Sequence, residues 1–397
     1  MSTRITVLFL TIVAMSCGGK GDQVSRHSIH ALPPPSKPES GEPFLTTSGG
    51  VVYLSWTEQQ NDSSFLKYSV LDNDQWKEPV VIASGENWFV NWADYPVISV
   101  EREVMAAHFL ERSSKSPYAY DVNLVMSTDS GRNWSRPIKL HDDNKEAEHG
   151  FVTILPYGQN FFVTWLDGRN TVMEGMETHD GHHGSMTLRA AIIDTSGNKL
   201  NEWELDGRTC DCCQTSAAMT SDGPVVVYRD RSEEEVRDIS ITRLVGDQWT
   251  TPEVIHNDNW KINGCPVNGP KVVAKDQTVA VAWFTSASDS TQVNIAISDD
   301  GGKTFTKPVR VNDSTTIGRV DLEMLDEKSF AVSWMEEDNI KVARFFSDGH
   351  KEKSIVAGKS SSARTSGFPQ MTWMADRLIV AWTDDGERNL KLITLEF

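Results

Sequence analysis

The sequence contains few cysteines, few basic residues and little continuous apolar sequence. Only 5 of the 397 residues are cysteine, and 38 Lys and Arg stand against 56 Asp and Glu, a formal charge of -18. This charge repels phosphate backbones and anionic lipid surfaces, which excludes nucleic acid as an expected partner. The apolar run at residues 5–14 is too short for a permanent membrane-spanning helix. The chain is nevertheless long enough to bury a core, and all-β propellers often form one unit of this size.

The first 17 residues have the features of an export signal. Arg4 precedes the apolar run, which ends in small residues directly before Cys17. This ending resembles the lipobox of bacterial lipoproteins, which implies a lipid on Cys17 and a place in the cell envelope, on the outer membrane or facing the periplasm. An ordinary cleaved signal peptide is the alternative. We expect a monomer whose lipid is its only membrane contact. The expected boundaries are residues 1–17 for the signal peptide, 18–40 for a tether and closing strand, and 41–397 for the folded domain.

One short motif recurs along the whole chain. It consists of an apolar run that ends in a small residue and then a large ring, and its copies are 48 to 63 residues apart. The ring positions are Trp56, His108, Trp165, Tyr228, Trp283, Trp334 and Trp382. Each copy has a strand pattern before it and alternating strand patterns after it. Four strands in each radially repeated unit indicate the blades of an all-β propeller.

The repeat predicts seven four-stranded blades, with six as the alternative count. The seventh copy stops at Phe397 after its third strand. Because an incomplete blade would leave an open sheet edge, we expect a strand at residues 25–32 to close the ring as the missing outer strand. Trp165, Trp283, Trp334 and Trp382 occupy ring positions of the repeat and are expected in the core.

Two segments carry a more specific pattern. Residues 127–134 (STDSGRNW) and 298–305 (SDDGGKTF) both read Ser-x-Asp-x-Gly-x-x-aromatic. They resemble the Asp-box hairpins of the sialidase, or neuraminidase, superfamily of propellers. The Asp can accept bonds from turn amides, and the Gly can adopt a positive φ. The resemblance covers the whole domain and implies that each motif closes the turn between the third and fourth strands, away from the active mouth.

The same resemblance implies a glycan or related small ligand and, if the protein is an enzyme, a glycoside hydrolase of the exo-sialidase type. Sialidases carry the first of their carboxylate-binding arginines at the start of the first blade. This chain has no such arginine, since its first inner strand reads EPFLT at residues 42–46. Arg319 and Arg364 precede or begin inner strands and are candidates to bind a carboxylate. The candidates for acid and nucleophile are Asp94, Tyr95 and Glu148, which lie near the starts of inner strands.

Cysteine and histidine residues lie in the loops of three neighbouring blades. The loops that enter inner strands and the loops between second and third strands lie on the same face of a propeller, so residues far apart in sequence can be placed together. They are Cys210, Cys212 and Cys213 before blade four, Cys265 before blade five, and His179, His182 and His183 within blade three. Thiolate with imidazole suits zinc or copper, and the nearby Met173 and Met176 suit Cu(I). Two disulfides are the alternative, because exported cysteines usually oxidise.

Further candidates lie beside these loops. Arg229 and Arg237 fall at the mouth ends of strands in blade four, and Trp260 lies in the loop that enters blade five. They form either an anion-recognising rim with an aromatic platform or a solvated ion-pair cluster. Three functions therefore stay open: a sialidase-like glycan protein, a metal or redox protein that uses the Cys and His residues, and a non-enzymatic scaffold with disulfides.

Overall fold

The computed structural model describes residues 27–172, 184–287 and 290–397. Each of seven antiparallel sheets contains four or five strands, which confirms the all-β propeller and its seven blades; the six-bladed alternative is wrong. A 3-10 turn covers Arg364–Ser366. Among the described residues, no helix has the length and apolar character needed to span a membrane.

The strands follow the chain blade by blade. The first strand and blade one are β1 (Ser28–Leu32), β2 (Ser40–Ser48), β3 (Val51–Gln60), β4 (Ser63–Asp72), β5 (Gln75–Trp76) and β6 (Val80–Gly85). Blades two and three are β7 (Ile98–Glu101), β8 (Val104–Arg112), β9 (Tyr120–Ser127), β10 (Ile138–Lys139), β11 (His149–Tyr157), β12 (Asn160–Asp167), β13 (Met186–Ile193) and β14 (Lys199–Thr209). Blades four and five are β15 (Ser216–Met219), β16 (Pro224–Arg229), β17 (Ile239–Val245), β18 (Gln248–Trp249), β19 (Glu253–Val254), β20 (Lys271–Lys275), β21 (Thr278–Thr285), β22 (Gln292–Ser298) and β23 (Val309–Arg310). Blades six and seven are β24 (Thr316–Asp326), β25 (Ser329–Glu336), β26 (Asn339–Phe346), β27 (Ile355–Lys359), β28 (Gln370–Met374), β29 (Arg377–Asp384) and β30 (Asn389–Glu396).

The inner strands β2, β7, β11, β15, β20, β24 and β28 form a closed ring, because each contacts the inner strands of both neighbouring blades. They surround a central cavity of about 470 Å³. At the level where these strands begin, Tyr95 of blade two reaches across to blade five, and its hydroxyl is 3.0 Å from Lys271 Nζ. We call the face that carries these strand starts the upper face. Contacts between opposite blades narrow the cavity at this face.

The predicted closing strand is confirmed. β1 pairs antiparallel with β30, with Ser28 opposite Glu396 and Leu32 opposite Leu392. Blade seven therefore consists of three strands from the end of the chain and one from its beginning. The buried Leu32 belongs to the same apolar cluster as Trp56 of blade one. The interface between the first and last blades thus depends on this strand.

The large rings of the repeat lie between blades, as the sequence predicts. Trp165, Trp283 and Trp334 are at most 1% exposed, and Trp382 is 4% exposed. Two of their indole N–H groups donate hydrogen bonds to carboxylates. That of Trp165 donates to Asp167 Oδ2 at 2.9 Å, and that of Trp334 donates to Glu336 Oε1 at 2.8 Å. The repeat motif is therefore a core motif.

Both Asp-box hairpins join third and fourth strands, which matches the expectation from the sequence. In the first, the Ser127 hydroxyl donates to Asp129 Oδ1 and accepts the N–H of Gly131, both at 2.9 Å. Gly131 has a φ of 78°, which a residue with a Cβ rarely adopts. Hydrogen bonds from Asn133 lower the pKa of Asp129 to about 2. These bonds fix the hairpin on the face opposite the mouth.

Candidate functional site

Four thiols meet on the upper face, and we call Cys210, Cys212, Cys213 and Cys265 the thiol cluster. The first three lie in the loop between β14 and β15, and Cys265 lies in the loop before β20. Cys210 Sγ is 3.2 Å from Cys213 Sγ and 3.9 Å from Cys212 Sγ. The thiol of Cys265 interacts with that of Cys212, and this hydrogen bond lowers the pKa of Cys265 to about 7. All four cysteines are free thiols in this structure.

The two loops are held together at their bases by the Gln214 side chain. Gln214 accepts the N–H of Gly269 at 2.8 Å, and its amide donates to the Ala93 carbonyl at 2.7 Å. A Cβ at Gly269 would lie 2.2 Å from the Gln214 carbonyl oxygen, so only glycine permits this approach. Cys210 N–H donates to the Arg229 carbonyl at 3.1 Å. Gln214 and Gly269 therefore set the distance between the two loops.

A buried arginine faces the cluster. Arg237 is 2% exposed, and its Nη1 donates to Cys210 Sγ at 3.2 Å. Burial alone would raise the pKa of Cys210, but hydrogen bonds with Cys212 and Cys213 and the charge of Arg237 place it well below the usual value. The hydrogen bonds and the positive charge of Arg237 thus favour the thiolate form of Cys210.

An acid and a phenol lie beside the thiols. The Tyr120 hydroxyl donates to Glu148 Oε1 at 2.6 Å. Burial, together with the negative charges of Asp211, Cys265 and Cys210, raises the pKa of Glu148 to about 7, although the hydrogen bond from Tyr120 opposes the rise. Burial also raises the pKa of Tyr120 well above its usual value. Of the three predicted catalytic residues, Glu148 is thus the one whose pKa is affected by the charge of the thiol cluster.

Asp94 and Tyr95 have other surroundings. Asp94 is 3% exposed, and its Oδ1 accepts the N–H of Phe151 at 2.7 Å. Burial raises its pKa well above the usual value. Tyr95 stacks on Phe44 and bonds to Lys271 at the narrow end of the central cavity. These two side chains join blades to one another, and their catalytic role remains a prediction.

The five predicted ligand residues do not converge on one surface. Arg229 donates to the carbonyls of Asn268, Arg237 and Phe284 at 2.6–3.0 Å and stacks 4.8 Å from the ring centre of the buried Trp260. Arg319 is likewise buried, whereas Arg364 is exposed. Arg237 is also buried and donates a hydrogen bond to Cys210 of the thiol cluster. The arginines therefore do not form a carboxylate clamp in this structure.

Part of the predicted metal site lies outside the described residues. His179, His182 and His183, with Met173 and Met176, fall within residues 173–183, and Cys17 falls within residues 1–26. The sequence reasoning did not single out Tyr120 or Lys271. Both are first residues of strands that begin at the upper face, so the same-face rule that located the cysteines would have found them.

A second buried cluster lies between blades two and three and contains Asp121, His141, Asp143, His149 and Asp167. The two imidazole rings stack with centres 3.5 Å apart and a 5° tilt. Asp143 bridges them, with Oδ1 2.7 Å from His141 Nδ1 and Oδ2 3.0 Å from His149 Nε2.

Basic side chains balance the carboxylates of this cluster. Arg169 holds Asp167 through two hydrogen bonds of 2.8 Å, and Lys139 pairs with Asp121. The arrangement is therefore a closed ion-pair network.

This network predicts a pH dependence of stability. Burial opposes charge on His141, but Asp121 and Asp143 outweigh it and raise its pKa. A raised folded pKa contributes stability that is complete below the unfolded value of about 6.5 and is lost as pH rises through the folded pKa. The free energy lost in His141→Asn should therefore be larger at about pH 5.5 than at about pH 8.5 in urea unfolding.

His256→Asn is the matched control, because the His256 side chain is 42% exposed whereas that of His141 is fully buried. Its cost should differ less between the two pH values. Equal costs of His141→Asn at both values would contradict the charged network.

The fold and the upper face define a sialidase-like propeller with thiols at its mouth. The chain belongs to the BNR repeat-like domain family, whose profile matches residues 58–342. No curated protein sequence matches the chain significantly. Three solved structures share the fold of this chain.

An ulvan lyase of polysaccharide lyase family PL25 has a TM-score of 0.57 and 10% identity, over 91% of this chain and 95% of that one. The α-L-arabinofuranosidase Arb93A from Fusarium graminearum has a TM-score of 0.52 and 10% identity, over 93% and 96%. A puromycin-hydrolyzing peptidase from Mycobacterium tuberculosis has a TM-score of 0.50 and 10% identity, over 88% of this chain but 52% of that one. At these identities the likeness establishes the fold alone.

Proposed function

We propose that the protein binds one soft metal ion, Cu(I) or Zn(II), through the thiol cluster. The observation that carries this proposal is that the sulfurs of Cys210, Cys212 and Cys213 lie within 4.8 Å of one another on a single loop. A tetrahedral shell with metal–sulfur bonds of about 2.3 Å has sulfur–sulfur edges of about 3.8 Å. The separations of 3.2 and 3.9 Å are close to this edge and well beyond a disulfide bond of about 2.05 Å.

The charges around the cluster also favour a metal. Thiolates are the ligands that soft metals prefer, but several together repel one another unless cations are near. Arg237 donates directly to Cys210, and the charge of Arg229 acts on Cys213. Asp211, within the loop, is held by Arg231 at 2.9 Å. The protein thus supplies fixed positive charge where a thiolate–metal centre needs it.

The test is metal content beside a thiol titration. Wild-type protein reduced and loaded without oxygen should retain about one equivalent of Cu(I) or Zn(II) after desalting, and Cys213→Ser should bind it more than about ten-fold more weakly. Asn257→Ser, in an exposed position of the loop before blade five, is the control and should bind as wild type. Absence of bound metal together with no titratable thiols in the oxidised protein would reject the proposal in favour of disulfide bonds.

Carbohydrate binding is the second candidate. A groove of about 540 Å³ on the upper face is lined by Trp92, Glu42, Asp385 and Arg388, a combination of aromatic and charged groups that suits sugars. Titration of sialyl and uronate oligosaccharides should then show binding that Arg388→Ala weakens. Turnover of a fluorogenic sialoside that is lost in Arg364→Ala would support a hydrolase, and no binding of any glycan tested would count against this candidate.

The proposal includes a place outside the cytoplasm. The lipobox-like ending at Cys17 supports a lipid anchor in the cell envelope, and the short apolar run before it supports export. Metabolic labelling with palmitate should mark wild type and not Cys17→Ala. An unlabelled wild-type protein released in soluble form would favour an ordinary cleaved signal peptide.

A further inference from the structure

We infer that Cys265 is the thiol that receives Cu(I) from a low-molecular-weight thiol carrier and passes it to the three cysteines of the preceding loop. This inference rests on the proposed function and names both its metal and its route of loading. It assigns different roles to four cysteines that the sequence alone treats as one ligand set.

The cysteines differ in exposure in the order that such a route requires. Cys210 and Cys213 are 1% and 2% exposed, Cys212 is half-buried, and Cys265 is exposed. Cys265 interacts with Cys212, and Cys212 lies next to Cys210. A metal ion from solvent therefore meets Cys265 first, Cys212 second and the buried pair last.

Cu(I) and Zn(II) differ in the number of thiolates that they need, and this difference separates the role of Cys265 from that of the other three cysteines. Structural Zn(II) sites are four-coordinate and closed, whereas Cu(I) is satisfied by fewer soft thiolates. The three sulfurs of residues 210–213 already lie within one coordination shell, and they come from one loop. Three thiolates can hold Cu(I) without Cys265, which leaves the fourth thiol free to exchange.

The loop that carries Cys265 has open space around its tip and is firmly held at its base. A Cβ at Gly264 would meet a single atom within 4 Å, the Cγ1 of Ile262 at 3.9 Å. At the base, Asn268 accepts the N–H of Arg319 at 2.7 Å. Val267 adopts a φ of 47°, which is strained for a β-branched residue. The tip thus leaves room for a carrier molecule to approach Cys265, while the base of the loop stays in register with the cluster.

The transfer is a ligand exchange without a change of oxidation state. Cys265 sulfur forms a bond to Cu(I) while the bond from Cu(I) to the carrier sulfur breaks. The proton of the Cys265 thiol passes to the released carrier thiolate. The same exchange then moves the ion from Cys265 to Cys212 and on to Cys210 and Cys213, so that no oxidant or reductant is consumed.

The experiment separates the rate of loading from the affinity. Reduced metal-free protein is mixed without oxygen with Cu(I)–glutathione, and the thiolate-to-copper absorbance is followed by stopped flow. Affinity is measured separately by competition with the Cu(I) chelator bathocuproine disulfonate. We expect Cys265→Ser to slow transfer by about ten-fold or more and to leave the affinity within about three-fold of wild type.

Two controls make the result specific. Asn263→Ser changes an exposed residue of the same loop to serine without removing sulfur, and it should transfer at the wild-type rate. Cys265→Ala, as a second variant, should reproduce the slow loading of Cys265→Ser. An affinity loss in Cys265→Ser as large as that in Cys213→Ser would make Cys265 a permanent fourth ligand and overturn the inference, as would an unchanged rate. Failure of wild type to bind any Cu(I) would reject the inference, while retention of Zn(II) would leave the proposed function standing.

Discussion

Arg319→Ala is expected to lower the free energy of unfolding by about 3–5 kcal/mol, because it removes a buried cation and takes away the donor of the buried Gly367 carbonyl. Arg319 Nη1 donates to the Ser366 hydroxyl at 2.6 Å and to the Gly367 carbonyl at 2.9 Å. Its Nη2 donates to the carbonyls of Ser362 and Ala363 at 3.1 and 2.9 Å. The substitution would remove the Arg319 donors from all three carbonyls, of which that of Ala363 would still accept the Ser366 hydroxyl at 2.9 Å.

The aromatic side chains around Arg319 add to the cost. The guanidinium lies 5.1 Å from the ring centre of Trp92 and 5.9 Å from that of Phe368. Burial lowers the pKa of Arg319 to about 10, so the side chain is still charged at neutral pH. Truncation would therefore lose the cation–π contacts and open a cavity, in addition to removing the hydrogen bonds of the guanidinium.

Arg364→Ala is the matched control, since Arg364 is exposed in the connection that the Arg319 side chain contacts, between β27 and β28, and was predicted for the same role. Its unfolding free energy should stay within about 0.5 kcal/mol of wild type. Urea unfolding followed by tryptophan fluorescence measures both. A stable Arg319→Ala variant that lost a carboxylate ligand would instead support the carbohydrate hypothesis, in which Arg319 is a ligand residue.

The positions of Arg319 and Arg364 could be predicted from the sequence, but the direction of the Arg319 side chain could not. The pattern placed both near the starts of inner strands, which is correct. The direction of the Arg319 side chain depends on a positive φ of 55° that follows the φ of 79° at Gly318. A Cβ at Gly318 would lie 2.3 Å from Asn268 Oδ1, an atom of the preceding blade. This bulge is created by a contact between blades, so no local pattern could reveal it.

The parts that could be predicted are those that repeat or follow from topology. The ring motif recurs because every blade must bury a large side chain against the next, so Trp56 through Trp382 marked seven blades. The thiol cluster was located by the rule that loops entering inner strands share a face. The difference in exposure between Cys213 and Cys265 could not be predicted, since it depends on how two loops pack around Gln214 and Gly269.

The position of the thiol cluster has a consequence for function. It lies over blades three to five beside Glu148 and Tyr120, whereas the central cavity narrows around Tyr95 and Lys271. Two chemically different regions therefore occupy the upper face. In this chain a hydrogen-bonded phenol–carboxylate pair lies next to the thiols, whereas the predicted arginines do not converge. This arrangement supports the proposed metal centre over an arginine-based anion site.

Leu32→Ala is expected to cost about 2–4 kcal/mol, because the side chain fills the seam where the propeller closes. Leu32 is 6% exposed and packs in one buried cluster with Leu45, Val52 and Leu392. Its strand supplies the outer edge of blade seven by pairing with β30. A cavity at this seam should weaken the whole ring, since the first and last blades have no other covalent connection.

Ile29→Ala provides a comparison on the same strand, because Ile29 is 41% exposed and its truncation should cost less than about 1 kcal/mol. Urea unfolding gives the two free energies, and size-exclusion chromatography shows whether a loosened β1 leaves the edge of β30 open to pairing with other copies. We expect Leu32→Ala to show both lower stability and concentration-dependent association. Equal, small costs for the two variants would mean that the hydrogen bonds of β1, and not the burial of Leu32, hold the ring closed.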